Sequence, residues 1–264
     1  MSQQNNSPEY FLNLARRTAN KTVALEYYLK AAEGGSAPAM TAVGNIYLEG
    51  EAGEKDADKA LDWFKKAAAL GNSIATNNIG YIYEQRDENE LALEWYGKAV
   101  EMDQDDTVPL RNLAFTYAKV GEVDKAIELY KKADERGDID AMNSLADLYF
   151  DNEDFVEAEE YYEQAAKLGN VEAMANLGRM LIYGNDFISE PYHWLKKAID
   201  KGHDYALMYM GDLFEENMKY RKAIRWYKRA QAIGIPEAKQ KIREINAYLK
   251  KNENAGCKLW VNAE

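Results

Sequence analysis

Few residues in this 264-residue sequence could do chemistry at neutral pH. His193, His203 and Cys257 are its only histidines and cysteine. A zinc site needs several such donors at short spacing. The two histidines stand ten residues apart, share no helical face and have no Cys or His beside them. An imidazole that works as a base also needs an orienting partner. Each therefore reads as a surface or helix-capping histidine. Cys257 has no activating histidine or cationic cluster nearby, so it reads as an ordinary thiol. The stretch "GEAGEKDADKA", Gly50 to Ala60, has the glycines of a phosphate loop but not its Lys-Ser/Thr ending. Its acids Glu51, Glu54, Asp56 and Asp58 would repel phosphate, and they miss the calcium-loop spacing. "DQDD", Asp103 to Asp106, reads as a helix-start charge cluster. Carboxylates are spread so evenly that no hydrolytic pair can be singled out. The residues thus predict no enzyme, no metal site and no cofactor.

The bulk numbers narrow the class. The chain is 47% hydrophobic and 30% charged, which suits a folded protein rather than a disordered one. A net charge of -12 opposes phosphate backbones and anionic lipid, so neither nucleic acid nor membrane is an expected partner. No apolar run reaches the roughly 20 residues of a membrane span. The opening "MSQQNNSPEY" lacks the pattern of a signal peptide. A single cysteine excludes an intramolecular disulfide framework and points to a reducing, cytoplasmic setting. Abundant Ala, Leu, Glu and Lys with only five prolines predict an all-α chain.

The elements that must position any site are repeated. In "KALDWFKKAAALGNSIATNNIGYIY", Lys59 to Tyr83, a KA–ring–ring–KA phrase leads into a second stripe. The second alanine of that phrase recurs at Ala31, Ala67, Ala99, Ala133, Ala165, Ala198 and Ala230, with spacings of 36, 32, 34, 32, 33 and 32. Four residues before it stand Tyr27, Trp63, Trp95, Leu129, Tyr161, Trp194 and Trp226. Three before it stand Tyr28, Phe64, Tyr96, Tyr130, Tyr162, Leu195 and Tyr227. Such spacing marks one face of a helix, and both ring columns read as inter-helix core. The second stripe centres on a small residue at Gly44, Gly80, Ala114, Ala146, Gly178 and Gly211, where two helices would cross closest. Each unit is then two antiparallel amphipathic helices that bury their faces only by stacking. Gly71, Gly137, Gly169, Gly202 and Gly234 follow second helices and suit left-handed caps. Pro236 suits a first helical turn. Pro191 does too, with a distinctive loop before it.

These phrases resemble Sel1-like repeats, relatives of the tetratricopeptide repeat. "AVGNIYLEGEAGEKDADKALDWFKKAAALGN", Ala42 to Asn72, is similar to the Sel1-like unit with its longer loop. "LRNLAFTYAKVGEVDKAIELYKKA", Leu110 to Ala133, is similar to an ordinary tetratricopeptide unit. The resemblance implies an α-solenoid, a right-handed superhelix of about fifteen helices. The expected layout is a degenerate N-terminal pair over 1–35, six helix-pair repeats over 36–235, a polar capping helix over 236–251 and a tail over 252–264. In that tail Leu259, Trp260 and Val261 could fold back or stay loose.

The resemblance also implies that first helices line a concave groove, at set offsets from the small residue. Mapped here, the binding candidates are Asn45, Asn77, Tyr81, Arg111, Phe115, Asn143, Asp147, Phe150, Arg179 and Tyr183. The asparagines could bond an extended peptide backbone through amides that both donate and accept. The rings stand where stacking need not bury them, as on an interaction surface. Over all mapped positions there are seven acids against three bases, so a partner with basic character is expected. A chaperone-type carboxylate clamp is not. Asn45 and Asn78 match its asparagines, but Thr41, Val108 and Asn112 stand where bases belong. The leading expectation is a non-catalytic scaffold or adaptor that holds a protein or peptide segment. The alternative is a regulator that senses a peptide or small ligand and changes superhelical shape.

Overall fold

The computed structural model describes residues 7–184 and 188–254. Every described element is a helix, fifteen in all among the described residues, and the architecture is an α-solenoid of helix pairs. Two compact units are formed, residues 1–138 and 139–264. The first holds α1 (Pro8–Arg16), α2 (Lys21–Glu33), α3 (Ala37–Glu49), α4 (Ala57–Ala69), α5 (Ser73–Gln85), α6 (Asn89–Met102), α7 (Thr107–Lys119) and α8 (Val123–Asp134). The second holds α9 (Ile139–Asp151), α10 (Phe155–Lys167), α11 (Val171–Gly184), α12 (Ser189–Asp200), α13 (Ala206–Glu216), α14 (Tyr220–Ala232) and α15 (Glu237–Asn254). Within each unit every helix packs on the one before it and the one after it. Cys257, the Leu259–Val261 stretch and most of the loop leading to Pro191 lie outside the described residues.

Several helix starts, those of α3, α5, α7 and α11 among them, are set by side chains that accept the otherwise unsatisfied first amides. Ser36 Oγ accepts from the Ala39 N–H, Asn72 Oδ1 from Ala75, Asp106 Oδ1 from Val108 and Asn170 Oδ1 from Ala173. His203 joins the series, its Nδ1 accepting the Ala206 N–H at 3.1 Å. Its Nε2 then carries the proton and donates to Glu172 at 3.0 Å. The capping role expected of this histidine is thus filled. His193 is exposed, with its ring edge-on to Trp194 at 5.3 Å.

Helix ends turn as the glycines predict. Gly71, Gly137, Gly169, Gly202 and Gly234 all have positive φ. The turn inside a pair holds a surprise. Gly121 has φ 85° there, but Asp87, Glu153 and Met218 adopt φ of 61°, 66° and 56° with full side chains. Pro236 falls just before α15 rather than within its first turn, since α15 begins at Glu237.

The two ring columns differ in depth. The column three residues before the alanine is the seam. Phe64, Tyr96, Tyr162, Leu195 and Tyr227 are fully buried there. These side chains lie over the small residues of the first helix. A Cβ added at Gly80 would fall 2.6 Å from Tyr96 Cδ1, and one at Gly211 2.3 Å from Tyr227 Cε1. The column four before is shallower. Trp194 is buried, but Trp63, Trp95 and Trp226 keep part of their surface open. A cation from the next turn covers each ring: Lys66 over Trp63 at 4.1 Å, Lys98 over Trp95 at 4.3 Å, Lys197 over Trp194 at 4.5 Å and Arg229 over Trp226 at 4.3 Å. Aliphatic stems and cation–π attraction thus finish the outer edge of the core.

Candidate functional site

In the first unit, α3, α5 and α7 stand side by side and are tied by amides. Asn78 Nδ2 donates to Asn45 Oδ1 at 2.9 Å, and Asn112 Nδ2 donates to Asn77 Oδ1 at 2.9 Å. Both bonds use the carbonyl oxygens of Asn45 and Asn77 and leave their amide N–H groups to other acceptors. Beside this ladder two large rings remain open. Tyr81 is 41% exposed and Phe115 is 51% exposed. Their small-residue neighbours Gly80 and Ala114 are fully buried, so a step of one residue, about 100° of helical rotation, separates core from solvent. Arg111 does not stand free on this surface. Its Nη1 donates to both carboxylate oxygens of Asp138 at 2.8 Å. Asp138 is nearly buried, so this pair holds the chain just after α8.

In the second unit the equivalent positions behave differently. Asp147 of α9 is a hub. Its Oδ1 accepts from the Tyr162 hydroxyl at 2.5 Å and from Asn176 Nδ2 at 3.1 Å, and its Oδ2 accepts from Asn143 Nδ2 at 3.1 Å. Burial pushes the Asp147 carboxyl above the usual aspartate range. Glu172 and Asp151 add to that push, while the Tyr162 bond and Arg179 oppose it. Asn143 is itself buried, and its Oδ1 has no partner among the described residues. Phe150 is partly buried, edge-on to Phe155 at 5.5 Å and covered by the Arg179 guanidinium at 5.0 Å. Arg179 also reaches Tyr209 at 5.9 Å. Among the mapped positions of this unit the open ring is Tyr183, at 71% exposure. Asn143, Asp147 and Phe150 are thus held inward by their neighbours, whereas Tyr183 is presented.

Sequence reasoning missed a recurring bond. The seam tyrosines send their hydroxyls through to carboxylates on the first helix of the same pair. Tyr96 donates to Glu84 at 2.9 Å and Tyr162 to Asp147, while Tyr227 reaches Asp212 at 2.7 Å and Glu215 at 2.6 Å. Burial first, and these carboxylates second, push the three phenols upward, so they stay protonated donors. A signal was present for two of the three. Asp147 and Asp212 directly follow the small residues Ala146 and Gly211, whereas Asn45 and Arg179 hold that place in the pairs whose seam residue, Phe64 or Leu195, has no hydroxyl. Glu84 gives no such signal, since Tyr81 is the residue that follows Gly80. Lys241 of α15 joins the last cluster, 3.2 Å from Asp212 and 3.1 Å from Glu215.

Among the described residues, no group of three or more His, Cys, Asp or Glu side chains could hold a metal ion. No described helix is long and apolar enough to cross a membrane.

Comparison with known proteins agrees with the helix pairs. The Sel1 repeat profile matches residues 13–36, 37–72, 122–138, 171–203 and 204–230. Tetratricopeptide repeat profiles match residues 75–106 and 139–169. Among solved structures, c5321, a protective antigen of uropathogenic Escherichia coli strains with an SLR fold, is 25% identical with a TM-score of 0.75. That match covers 97% of this chain and 60% of the antigen. A Sel1 repeat protein from Oxalobacter formigenes is 25% identical with a TM-score of 0.63, covering 75% of this chain and 87% of that one. Yeast Tom70, at 18% identity and a TM-score of 0.70, shares the fold over 95% of this chain and 57% of its own. No curated protein matches the sequence.

Proposed function

We propose that this chain, which belongs to the Sel1 repeat family, is a non-catalytic scaffold whose first-helix faces hold a protein or peptide segment. Repeat proteins of this kind generally mediate protein–protein interaction, and the finer assignment rests on particular residues. The observation that carries it is the pair of open rings in the first unit, Tyr81 and Phe115, beside the Asn45–Asn78 and Asn77–Asn112 amide pairs. Burying large rings is favourable, yet the fold leaves these two in water beside amides suited to a peptide backbone. Tyr183 would serve the second unit in the same way. Arg111, Asn143, Asp147, Phe150 and Arg179 act mainly by holding the helices that present these groups. Basic character in the bound segment would suit the acids of α13, Asp212, Glu215 and Glu216. A reducing, cytoplasmic setting belongs to the same reading, on the single cysteine.

The test is selection of binders from a random peptide library on the intact protein, then binding to a Tyr81→Ala/Phe115→Ala variant. The expected result is loss of peptide binding with an unchanged melting temperature, because both rings are already exposed. Peptides that bind the variant as tightly as the wild type would overturn the reading.

A further inference from the structure

One helix departs from the charge of everything around it. The protein carries a net charge of -12, yet α14, "YRKAIRWYKRAQA", holds five basic residues and no acid. At about 100° per residue the five lie within an arc of about 120°. Ala223, Tyr227 and Ala230 occupy the opposite side and are buried in the stack. Lys222, Arg225, Lys228 and Arg229 are all exposed, and none is paired with a carboxylate among the described residues. Four other second helices each neutralise one cation within the same helix. Lys98 pairs with Glu94, Lys132 with Glu128, Lys167 with Glu163 and Lys196 with Asp200. The neighbouring helix α13 is the converse, with three acids and no base. Charge has been sorted so that α14 shows only cations outward.

Three kinds of anion could meet such a ridge. A lipid surface is disfavoured, because a helix that binds a bilayer inserts its apolar face, and that face of α14 is used by the core. A nucleic acid is disfavoured, because an extended phosphate chain would run beyond a ridge about 20 Å long and meet an acidic protein. A compact anion avoids both costs. We propose that the solvent face of α14 docks a short acidic segment of a partner protein, with Lys222, Arg225, Lys228 and Arg229 as its contacts. The surface lies on a second helix, whereas the open rings lie on first helices. Arg229 is already held against Trp226, so less of its side-chain freedom is lost on pairing than for a free arginine.

The test is fluorescence anisotropy of a labelled Glu-rich peptide, blocked at both ends, with the intact protein at low and high salt. Binding at low salt that weakens as salt rises is expected, since exposed pairs are screened. The Arg225→Glu/Arg229→Glu variant should lose affinity at least about tenfold. The milder Arg225→Gln/Lys228→Gln variant should weaken it in the same direction with unchanged melting. The Tyr81→Ala/Phe115→Ala variant should bind the acidic peptide normally, which separates this face from the proposed groove. Absence of low-salt binding, or indifference to charge reversal, would overturn the proposal. So would tighter binding of a DNA duplex or of phosphatidylglycerol vesicles than of the peptide. Salt-sensitive self-association, through the acids Glu157 and Glu160 on α10 of a second copy, would replace the partner protein with the chain itself.

Discussion

Replacing Gly80 by alanine tests the seam directly, because two opposing effects of known size meet there. Alanine is the better helix former, worth about 1 kcal/mol over glycine inside a helix. Against this, the new Cβ would stand 2.6 Å from Tyr96 Cδ1, 2.8 Å from Cε1 and 3.0 Å from Cγ. Tyr96 cannot swing aside cheaply, since it is fully buried and its hydroxyl is bonded to Glu84. Overpacking of this kind costs about 1–3 kcal/mol, and contact with three atoms of one held ring belongs near the top of that range. The net expectation is a loss of about 2 kcal/mol. Gly97, in the next helix, supplies the control. A Cβ there would meet nothing within 4 Å, so Gly97→Ala should stabilise by about 0.5–1 kcal/mol. Urea denaturation followed by far-UV circular dichroism reads both variants as shifts of midpoint. The two midpoints should move in opposite directions. If Gly80→Ala is as stable as the wild type, the close approach of Tyr96 to α5 is not what sets the spacing of that pair. Ala114 and Ala146 occupy the same place in other pairs, so a methyl is not forbidden by the repeat itself. The cost at Gly80 belongs to one local spacing.

The Asp147 hub gives a pH prediction. Its carboxyl titrates above the ordinary aspartate value, so its contribution to stability is present at low pH and is lost as pH rises through the folded-state pKa. Asp147→Asn should therefore flatten that part of the stability–pH curve. It should cost less than about 1 kcal/mol at neutral pH, because a rotated Asn143 can offer its unpartnered Oδ1 to the new amide; an unchanged pH profile would remove Asp147 as the cause. At the turn inside the last pair, Met218→Gly relieves a side chain held at φ 56° and should raise the urea midpoint by the equivalent of about 0.5–1 kcal/mol. A fall would mean that the exposed Met218 side chain contributes more than the strain costs.

How much of this could be read in advance depended on whether the signal repeats. The helix pairs were legible because the alanine columns and small residues recur at fixed spacing, and burial enforces that spacing in every pair. The left-handed glycines were legible for the same reason. The two ring columns looked alike as sequence, since both fall on the apolar stripe. The structure separates them by about one residue of helical rotation: Tyr96 lies in the seam and Trp95 at its edge beneath Lys98. The strained turns were illegible, because Asp87, Glu153 and Met218 are unlike one another and only the geometry they share reveals them. Among the candidate site residues, Tyr81, Phe115 and Tyr183 are exposed as their offsets implied. Arg111 and Asp147 are engaged by partners, Asp138 and Tyr162, that lie 27 and 15 residues away. No offset rule within one helix could have named those partners.

The surface shows a further reason why some features escape a reading by repeat position. Counting charges over the mapped first-helix positions leaves out the second helices, on the reasoning that their job is to close the core. In α14 that job uses only one side of the cylinder. Tyr227 fills the seam and sends its hydroxyl to Asp212 and Glu215, which fixes where the acids of α13 lie. Those acids are then partly neutralised by Lys241 from α15 rather than by any base of α14. Lys222, Arg225 and Lys228 stand exposed on the side of α14 that faces away from the core, without a carboxylate partner among the described residues. If charge on that side served solubility alone, mixed signs would do as well, as they do on α8, where Lys132 pairs with Glu128. A ridge of one sign costs self-repulsion between cations three and four residues apart. That cost is relieved when an anion lies along the ridge, which is why the α14 face, and not merely the groove, should respond to salt and to charge reversal.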